Sequence, residues 1–367
     1  MSQLPSSELL LQKVQSILSI IREEAEASEQ LGRLRDDVLE AIIEHRLFRL
    51  FIPEKYRGEP TDLPTALKVF ELVASADGAT GWLVMIGAGG GLFSGFMEEQ
   101  IAYEIFSPER AVIAGSGMPS GKAKTVKNGY EVSGRWAYAS GSNYATWFTA
   151  NCRFNAKDDT KDDEIRAIAV PANQVIKHDT WSVFGMRATG SHDFSVESVS
   201  VPNRYTFSLA EEPILDDPIF FCPLETLASL SFASVAVGIT QHAVEEFIAF
   251  AKKKQIKAST KFLIDAVDIQ QLCEQSEQFI IEARSQLYDR AEQVWLGVKQ
   301  RKKLPEDIIE QTNENAIEMV QNCVKTVDAL KAHSGMMAVF TSSYFGRAWR
   351  DLHTLSQHTI VAAKNEL

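Results

Sequence analysis

The chain is poor in cysteine and short of positive charge. Its four cysteines, Cys152, Cys222, Cys273 and Cys323, lie far apart with no CxxC pair and no Cys/His cluster, so neither a disulfide framework nor a zinc site is implied. Lysine and arginine total 37 against 49 aspartates and glutamates, a formal net charge of −12. Nucleic acid and anionic membrane both require a concentrated positive field, so this balance argues against either as the main partner. Glu8, Lys13, Arg22 and Glu23 divide the N-terminal stretch, which leaves no continuous apolar run there, and no signal peptide or membrane span is expected. Internal repeats and low-complexity tracts are also missing. A reduced, cytoplasmic setting is the expectation.

What is present is length and a change of texture along it. At 367 residues the chain exceeds the size at which one hydrophobic core stops growing, so two or three packed units are expected. Leu10, Val14, Ile17, Leu18 and Ile21, then Val38, Leu39, Ile42 and Ile43, fall at helical spacing and predict two amphipathic helices ending before Pro53. Asp62 is placed to cap a third helix through Phe70 and Val73. The run from Trp82 to Phe96 is almost wholly apolar and holds Gly87, Gly89, Gly90 and Gly91. It reads as a buried helix whose missing side chains either leave room for a ligand or allow close helix packing.

From Ala111 short β-type runs separated by Gly, Asn, Asp and Pro replace the helical pattern, and five to eight strands in a compact barrel or sandwich are expected. The charged stretch 157–164 reads as a solvated hairpin tip. Beyond Pro223 helical periodicity returns in four segments, about 224–254, 262–300, 306–332 and 337–363, with the short connections of a four-helix bundle. The expected fold is α+β and mainly α: a helical domain at 1–110, a small β-barrel at 111–210 and a helical bundle at 211–367.

Two segments carry the chemistry. Gly134-Arg135-Trp136-Ala137-Tyr138-Ala139-Ser140-Gly141 and Gly185-Met186-Arg187-Ala188-Thr189-Gly190-Ser191-His192 combine glycine, small hydroxyls and aromatics within β-type sequence. Glycine admits close approach of backbone to a ligand, hydroxyls hydrogen-bond, and aromatic rings offer flat faces. The pair suits a planar, hydrogen-bonding cofactor. Turn formation alone also favours Gly and Ser, so two hairpin corners are the competing explanation.

Helices, β unit and bundle in that order, with these motifs between them, resemble the acyl-CoA dehydrogenase-like flavoproteins. The stretch from Trp181 through Ser191 to Val201-Pro202, the run Asp77-Gly78-Ala79-Thr80-Gly81-Trp82 and the run Arg347-Ala348-Trp349-Arg350-Asp351-Leu352-His353 are similar to the flavin-dependent monooxygenase branch, which takes reduced flavin from a separate reductase. The resemblance implies FMN or FAD as cofactor, a reductase partner and a homotetramer. It places Ser140 near flavin N5 with a catalytic role, Tyr138 beside the ring, and Gly141, Thr189 and Ser191 among the flavin contacts. Trp82 is implied on the substrate side. Arg187 and Arg350 would meet the flavin phosphate or a neighbouring subunit, or else form structural ion pairs.

Two reactions fit such a fold. A dehydrogenase needs a carboxylate base at the substrate. The place after Arg350-Asp351 where most relatives of that kind carry it holds Ser356-Gln357-His358, with no acid from Leu352 through Asn365. Glu225, near the start of the first bundle helix, is the alternative base for an FAD-dependent acyl-CoA dehydrogenase, or merely an acid favoured by the helix dipole. A monooxygenase needs a site sheltered from water and gains from a base that deprotonates a phenol or amine. The resemblance makes His358 that base, on the last helix, against a packing role for the same imidazole. His192 and His353 are expected to orient loops. A binding protein without redox chemistry is the third reading.

Overall fold

The computed structural model describes residues 6–154, 164–301 and 303–363. Most of the stretch expected as a hairpin tip, and Lys302, lie outside the described residues. The first unit is helical. Helix α1 (Ser6–Leu31) buries Leu10, Val14, Ile17 and Ile21, and α2 (Asp36–Glu44) buries Val38, Leu39 and Ile42, as the periodicity requires. In α3 (Leu63–Ala76) Asp62 is the N-cap, its Oδ1 accepting from the Thr65 N–H at 2.8 Å. Helix α4 (Gly78–Gly90) starts the same way: Asp77 Oδ2 accepts from the Thr80 N–H at 2.9 Å and its hydroxyl at 2.7 Å. A short helix α5 (Glu99–Phe106) closes the unit.

The glycines of the apolar run divide by role. A Cβ on Gly87 would sit 2.4 Å from the Phe48 ring, one on Gly90 2.9 Å from Ile113 Cβ and one on Gly91 2.8 Å from Ile52, so these three serve close packing. Gly89 faces open space within 4 Å. The close-packing expectation for this run therefore holds at Gly87, Gly90 and Gly91.

The middle unit is one seven-stranded sheet: β1 (Ile113–Val126), β2 (Gly129–Ala139), β3 (Trp147–Phe154), β4 (Glu164–Pro171), β5 (Ile176–His178), β6 (His192–Pro202) and β7 (Thr206–Phe207). The order is β5-β6-β2-β1-β3-β4-β7, with β1 and β3 parallel and the other neighbours antiparallel. Among the described residues the edge strands β5 and β7 do not pair with each other, so hydrogen bonds there do not close the expected barrel. The sheet is nonetheless rolled. Strands β6 and β3 are three places apart, about 14 Å in a flat sheet, yet the Phe194 and Phe148 rings meet at 4.8 Å. Trp136, stacked on Phe194 at 5.1 Å, fills the interior with Val132, Phe154 and Ile168.

The last unit holds α6 (Leu224–Lys253), α7 (Val267–Val298), α8 (Glu306–Ser334) and α9 (Tyr344–Leu355). Helix α6 is buried along most of its length because α3, α4, α7, α8 and α9 all pack on it. Both α6 and the segment Gly78–Phe96 are long and apolar enough to cross a membrane, and both are packed inside the protein. The fourth bundle helix is shorter than its expected 337–363. Gly335, at φ 56°, ends α8, a 3₁₀ turn follows, and the Ser343 hydroxyl accepts from the Gly346 N–H to start α9.

Candidate active site

Ser140 lies where the first and second units meet. Between Trp136↔Phe194 and Ala139↔His192 the β2–β6 ladder gains one residue on β2, a bulge that re-aims the side chains beyond it. Tyr138, at φ 66°, is thrown outward and is 70% exposed, its ring edge-on to Trp181 at 6.2 Å. Ser140 turns inward and is 8% exposed. Gly141 follows at φ 78°, a left-handed conformation that glycine adopts without strain, and donates its N–H to Thr189 O at 2.9 Å. This backbone bond joins the two motifs.

A line of polar groups runs through the junction. Trp82 Nε1 on α4 donates to Ser140 Oγ at 3.0 Å. Ser140 Oγ lies 2.8 Å from Ser191 Oγ, which lies 2.7 Å from Thr189 Oγ1. Thr189 Oγ1 donates to Met186 O at 2.7 Å. Trp181 Nε1 donates to the same carbonyl at 2.9 Å. All three hydroxyl side chains are buried, so their mutual hydrogen bonds are what allows them there.

His358 completes the cluster from the other side. Its ring centroid is 5.8 Å from Trp82 and 4.6 Å from Phe232, and Trp82 and Phe232 are 4.7 Å apart. The imidazole is not on the last helix as expected. Ser356 is the C-cap of α9, and the chain then tightens into i→i+3 bonds, Gln357 N–H to Thr354 O and His358 N–H to Leu355 O. That turn points the ring at the α4–α6 interface. Burial holds the imidazole pKa below its usual 6.5, which keeps it neutral and able to accept a proton near neutral pH.

The charged residues separate into free and engaged. The Arg187 side chain is exposed, and its guanidinium has no hydrogen-bond or ion-pair partner among the described residues. Arg350 is engaged within the chain: its Nη2 meets both Glu29 carboxylate oxygens at 2.7 and 2.9 Å. Of the alternatives for Arg350, the isolated chain displays the structural ion pair. Asp351 accepts from the Met186 N–H at 2.5 Å and so grips the second motif at a residue with φ 54°. Burial, and next the neighbouring Asp77 charge, push the Asp351 carboxyl up to about 8. The Arg347 Nη1 and Nη2 and the Asp351 Oδ2 lack hydrogen-bond partners among the described residues.

Of the two histidines expected to orient loops, His192 bonds to the loop before Phe184, whereas His353 lies in α9 and joins it to α8. His192 Nδ1 accepts from the Thr180 and Trp181 N–H groups, both at 3.2 Å, and His353 Nε2 meets Asp328 Oδ1 at 2.9 Å. Glu225 lies exposed in the first turn of α6, with no hydrogen bond to any residue of the cluster. Phe232 and the Asp351–Met186 tie went unread in the sequence. An apolar residue on a buried helix gives no sign of a site, and the tie joins positions 165 residues apart.

Space at the junction is limited within one chain. A crevice runs behind Ser140 and Gly141, walled by Phe48, Leu83, Gly87, Val112, Ile113 and Tyr144, and it is too narrow to admit a water molecule. It therefore falls far short of the roughly 300 Å³ at which small-molecule pockets begin. The accessible side is the outer one, where Tyr138 and Phe184 stand exposed.

Comparison with known proteins places this architecture. The family described as acyl-CoA dehydrogenase, C-terminal domain, matches residues 230–363, the bundle. XiaF from Streptomyces sp., solved in complex with FADH2 and glycerol, superposes with a TM-score of 0.89 at 23% identity, covering 97% of this chain and 92% of that one. TdsC from Paenibacillus sp., solved with FMN and indole, gives a TM-score of 0.81 at 20% identity over 96% and 94% of the two chains. The chain therefore has the fold of these proteins, and its last unit is similar to the acyl-CoA dehydrogenase C-terminal domain. Its curated full-length relatives are narrower in kind. Indole-3-acetate monooxygenase of Pseudomonas putida is 26% identical, covering 95% of this chain and 89% of its own length. The flavin-dependent monooxygenase oxygenase subunit HsaA of Rhodococcus jostii is 25% identical over 95% and 93%. Over nearly its whole length the chain is thus similar in sequence to flavin-dependent monooxygenases.

Proposed function

We propose that this chain is the oxygenase component of a two-component monooxygenase. It takes reduced flavin from a separate reductase and transfers oxygen from O2 to a small aromatic or amine-bearing molecule. The observation that carries the reading is the convergence of Ser140, Trp82, Phe232 and His358 in one cluster drawn from three units. The residues present suit a flavin. Ser140 keeps a lone pair for the edge of a planar ring, Gly141 has no Cβ to obstruct it, and Arg187 offers an unpaired guanidinium to a phosphate. When bound, the reduced flavin supplies the electrons that activate O2.

This chain's own residues bind, orient and shelter. Trp82 and Phe232 give flat apolar faces to an aromatic substrate and exclude water from its reacting edge. His358, kept neutral by burial, accepts the substrate's phenolic or amine proton at an imidazole nitrogen and so raises the substrate's nucleophilicity. Gly89 leaves room along α4. Four buried, unpaired cysteines suit a reducing cytoplasm. A homotetramer would cover the exposed apolar side chains Phe184, Met336, Val339 and Phe340 and roof the open side of Ser140.

Heavy-isotope O2 tests the assignment. Protein mixed with reduced FMN or FADH2 and a panel of indoles and phenols should yield a product carrying one labelled oxygen. Reduction of bound FAD by an acyl-CoA, with no labelled product from any aromatic, would overturn it in favour of Glu225 chemistry.

A further inference from the structure

The hydroxyl line has a direction, and the direction is set at its far end. An O···O contact of 2.7 Å between Thr189 Oγ1 and Met186 O needs a proton between the atoms, and a carbonyl has none to give, so the Thr189 hydroxyl donates. With its proton spent, Thr189 Oγ1 can only accept from Ser191 at 2.7 Å, and Ser191 Oγ can only accept from Ser140 at 2.8 Å. Trp82 Nε1 is donor only, so it donates to Ser140 Oγ at 3.0 Å. One arrangement satisfies all four contacts. Ser140 has then given away its proton and used one lone pair, and a single lone pair remains.

We propose that Thr189 and Ser191 fix Ser140 as a hydrogen-bond acceptor towards its ligand, so that the site selects flavin protonated at N5 over oxidised flavin. This rests on the reading that flavin N5 lies at Ser140. Oxidised flavin presents only a lone pair at N5, which would face the lone pair of Ser140. Reduced flavin presents an N–H, which Ser140 accepts. For Ser140 to donate instead, its bond to Ser191 must break, which leaves two buried oxygens 2.8 Å apart without a proton between them. The selectivity suits an enzyme that receives its flavin already reduced and must release it oxidised. Thr189 and Ser191 are positioning residues in this scheme, acting through Ser140.

The test compares affinities for oxidised FMN in air and reduced FMN under anaerobic conditions. Wild type should bind the reduced form more tightly. Ser191→Ala or Thr189→Val frees the Ser140 hydroxyl to donate, and each should cut the oxidised-to-reduced Kd ratio about tenfold. The midpoint potential of the bound flavin should then fall by about 30 mV, the equivalent of tenfold for two electrons. Thr189→Ser keeps the hydroxyl and should keep the wild-type ratio, which a mere loss of packing would not do. Ratios in Ser191→Ala and Thr189→Val equal to wild type, in folded protein that binds FMN, would overturn the assignment of polarity while leaving the flavin reading intact. Folded wild type that binds FMN and FAD in neither redox state would overturn the flavin reading itself.

Discussion

Asp351 ties the bundle to the motif that carries Thr189 and Ser191, and cutting that tie should loosen the motif before the fold. Asp351→Ala removes the acceptor that the described residues offer the Met186 N–H, a buried group. An unsatisfied buried donor costs about 1–3 kcal/mol, or about 5- to 150-fold in a local opening equilibrium. Met186 also sits at φ 54°, a conformation unfavourable for a residue with a Cβ, and its relaxation adds in the same direction. Hydrogen exchange at the Met186, Thr189 and Gly190 amides should accelerate by that factor, while amides in the middle of α6 change little. Asp351→Asn keeps an oxygen acceptor and should leave exchange near wild type. The pH dependence supplies a second reading. Burial raises the Asp351 pKa from its usual 3.8 to about 8, so the folded state favours the neutral acid. For an acid raised in this way the stabilisation is complete below the unfolded value and is lost as pH rises through the folded one. The stability of Asp351→Asn relative to wild type should therefore climb across that window and level off above it. Unchanged exchange in Asp351→Ala, or a flat difference with pH, would refute the reasoning.

Three further outcomes are expected. His358→Asn should lower turnover by about 10²- to 10⁴-fold, the usual worth of a general base, with the acid limb of the wild-type rate profile centred below pH 6.5 because burial lowers the imidazole pKa; a limb centred above 6.5 would exclude this histidine as the base. Gly87→Ala drives a Cβ to 2.4 Å from Phe48 and should destabilise by about 1–3 kcal/mol, whereas Gly89→Ala meets open space within 4 Å and should stabilise by up to about 1 kcal/mol through helix propensity; denaturant melts giving the opposite order would contradict the packing described. Arg187→Ala should weaken FMN binding by about 1.5–3 kcal/mol, the worth of a hydrogen bond to a charged group, and equal FMN affinity in the variant by calorimetry would remove Arg187 from the phosphate site.

Much of the site is legible in the sequence because hydroxyls, glycines and aromatics cluster at short range. Ser140, Thr189 and Ser191 fall in two compact motifs, and a single hydrogen bond from Gly141 to Thr189 brings those motifs together. His358 was legible by its motif, although its place beyond the α9 cap was not, since helix ends depend on local hydroxyl competition at Thr354 and Ser356. The barrel expectation met a rolled sheet with open edges, because strand count can be read from β-type runs while closure depends on how the edge strands lie.

Periodicity, caps and turn residues are local properties, and by themselves they determined the order of helices, strands and bundle and the identity of the hydroxyl-bearing motifs. Direction and neighbourhood were decided only by the folded chain. The bulge that sends Tyr138 outward and Ser140 inward, the rings that gather His358, Trp82 and Phe232, and the Ser191 contact that passes the polarity set at Met186 on to Ser140 all arise between segments distant in sequence. Hydrogen-bond polarity is a property of a connected set of atoms, and these atoms become connected only when the first and second units pack.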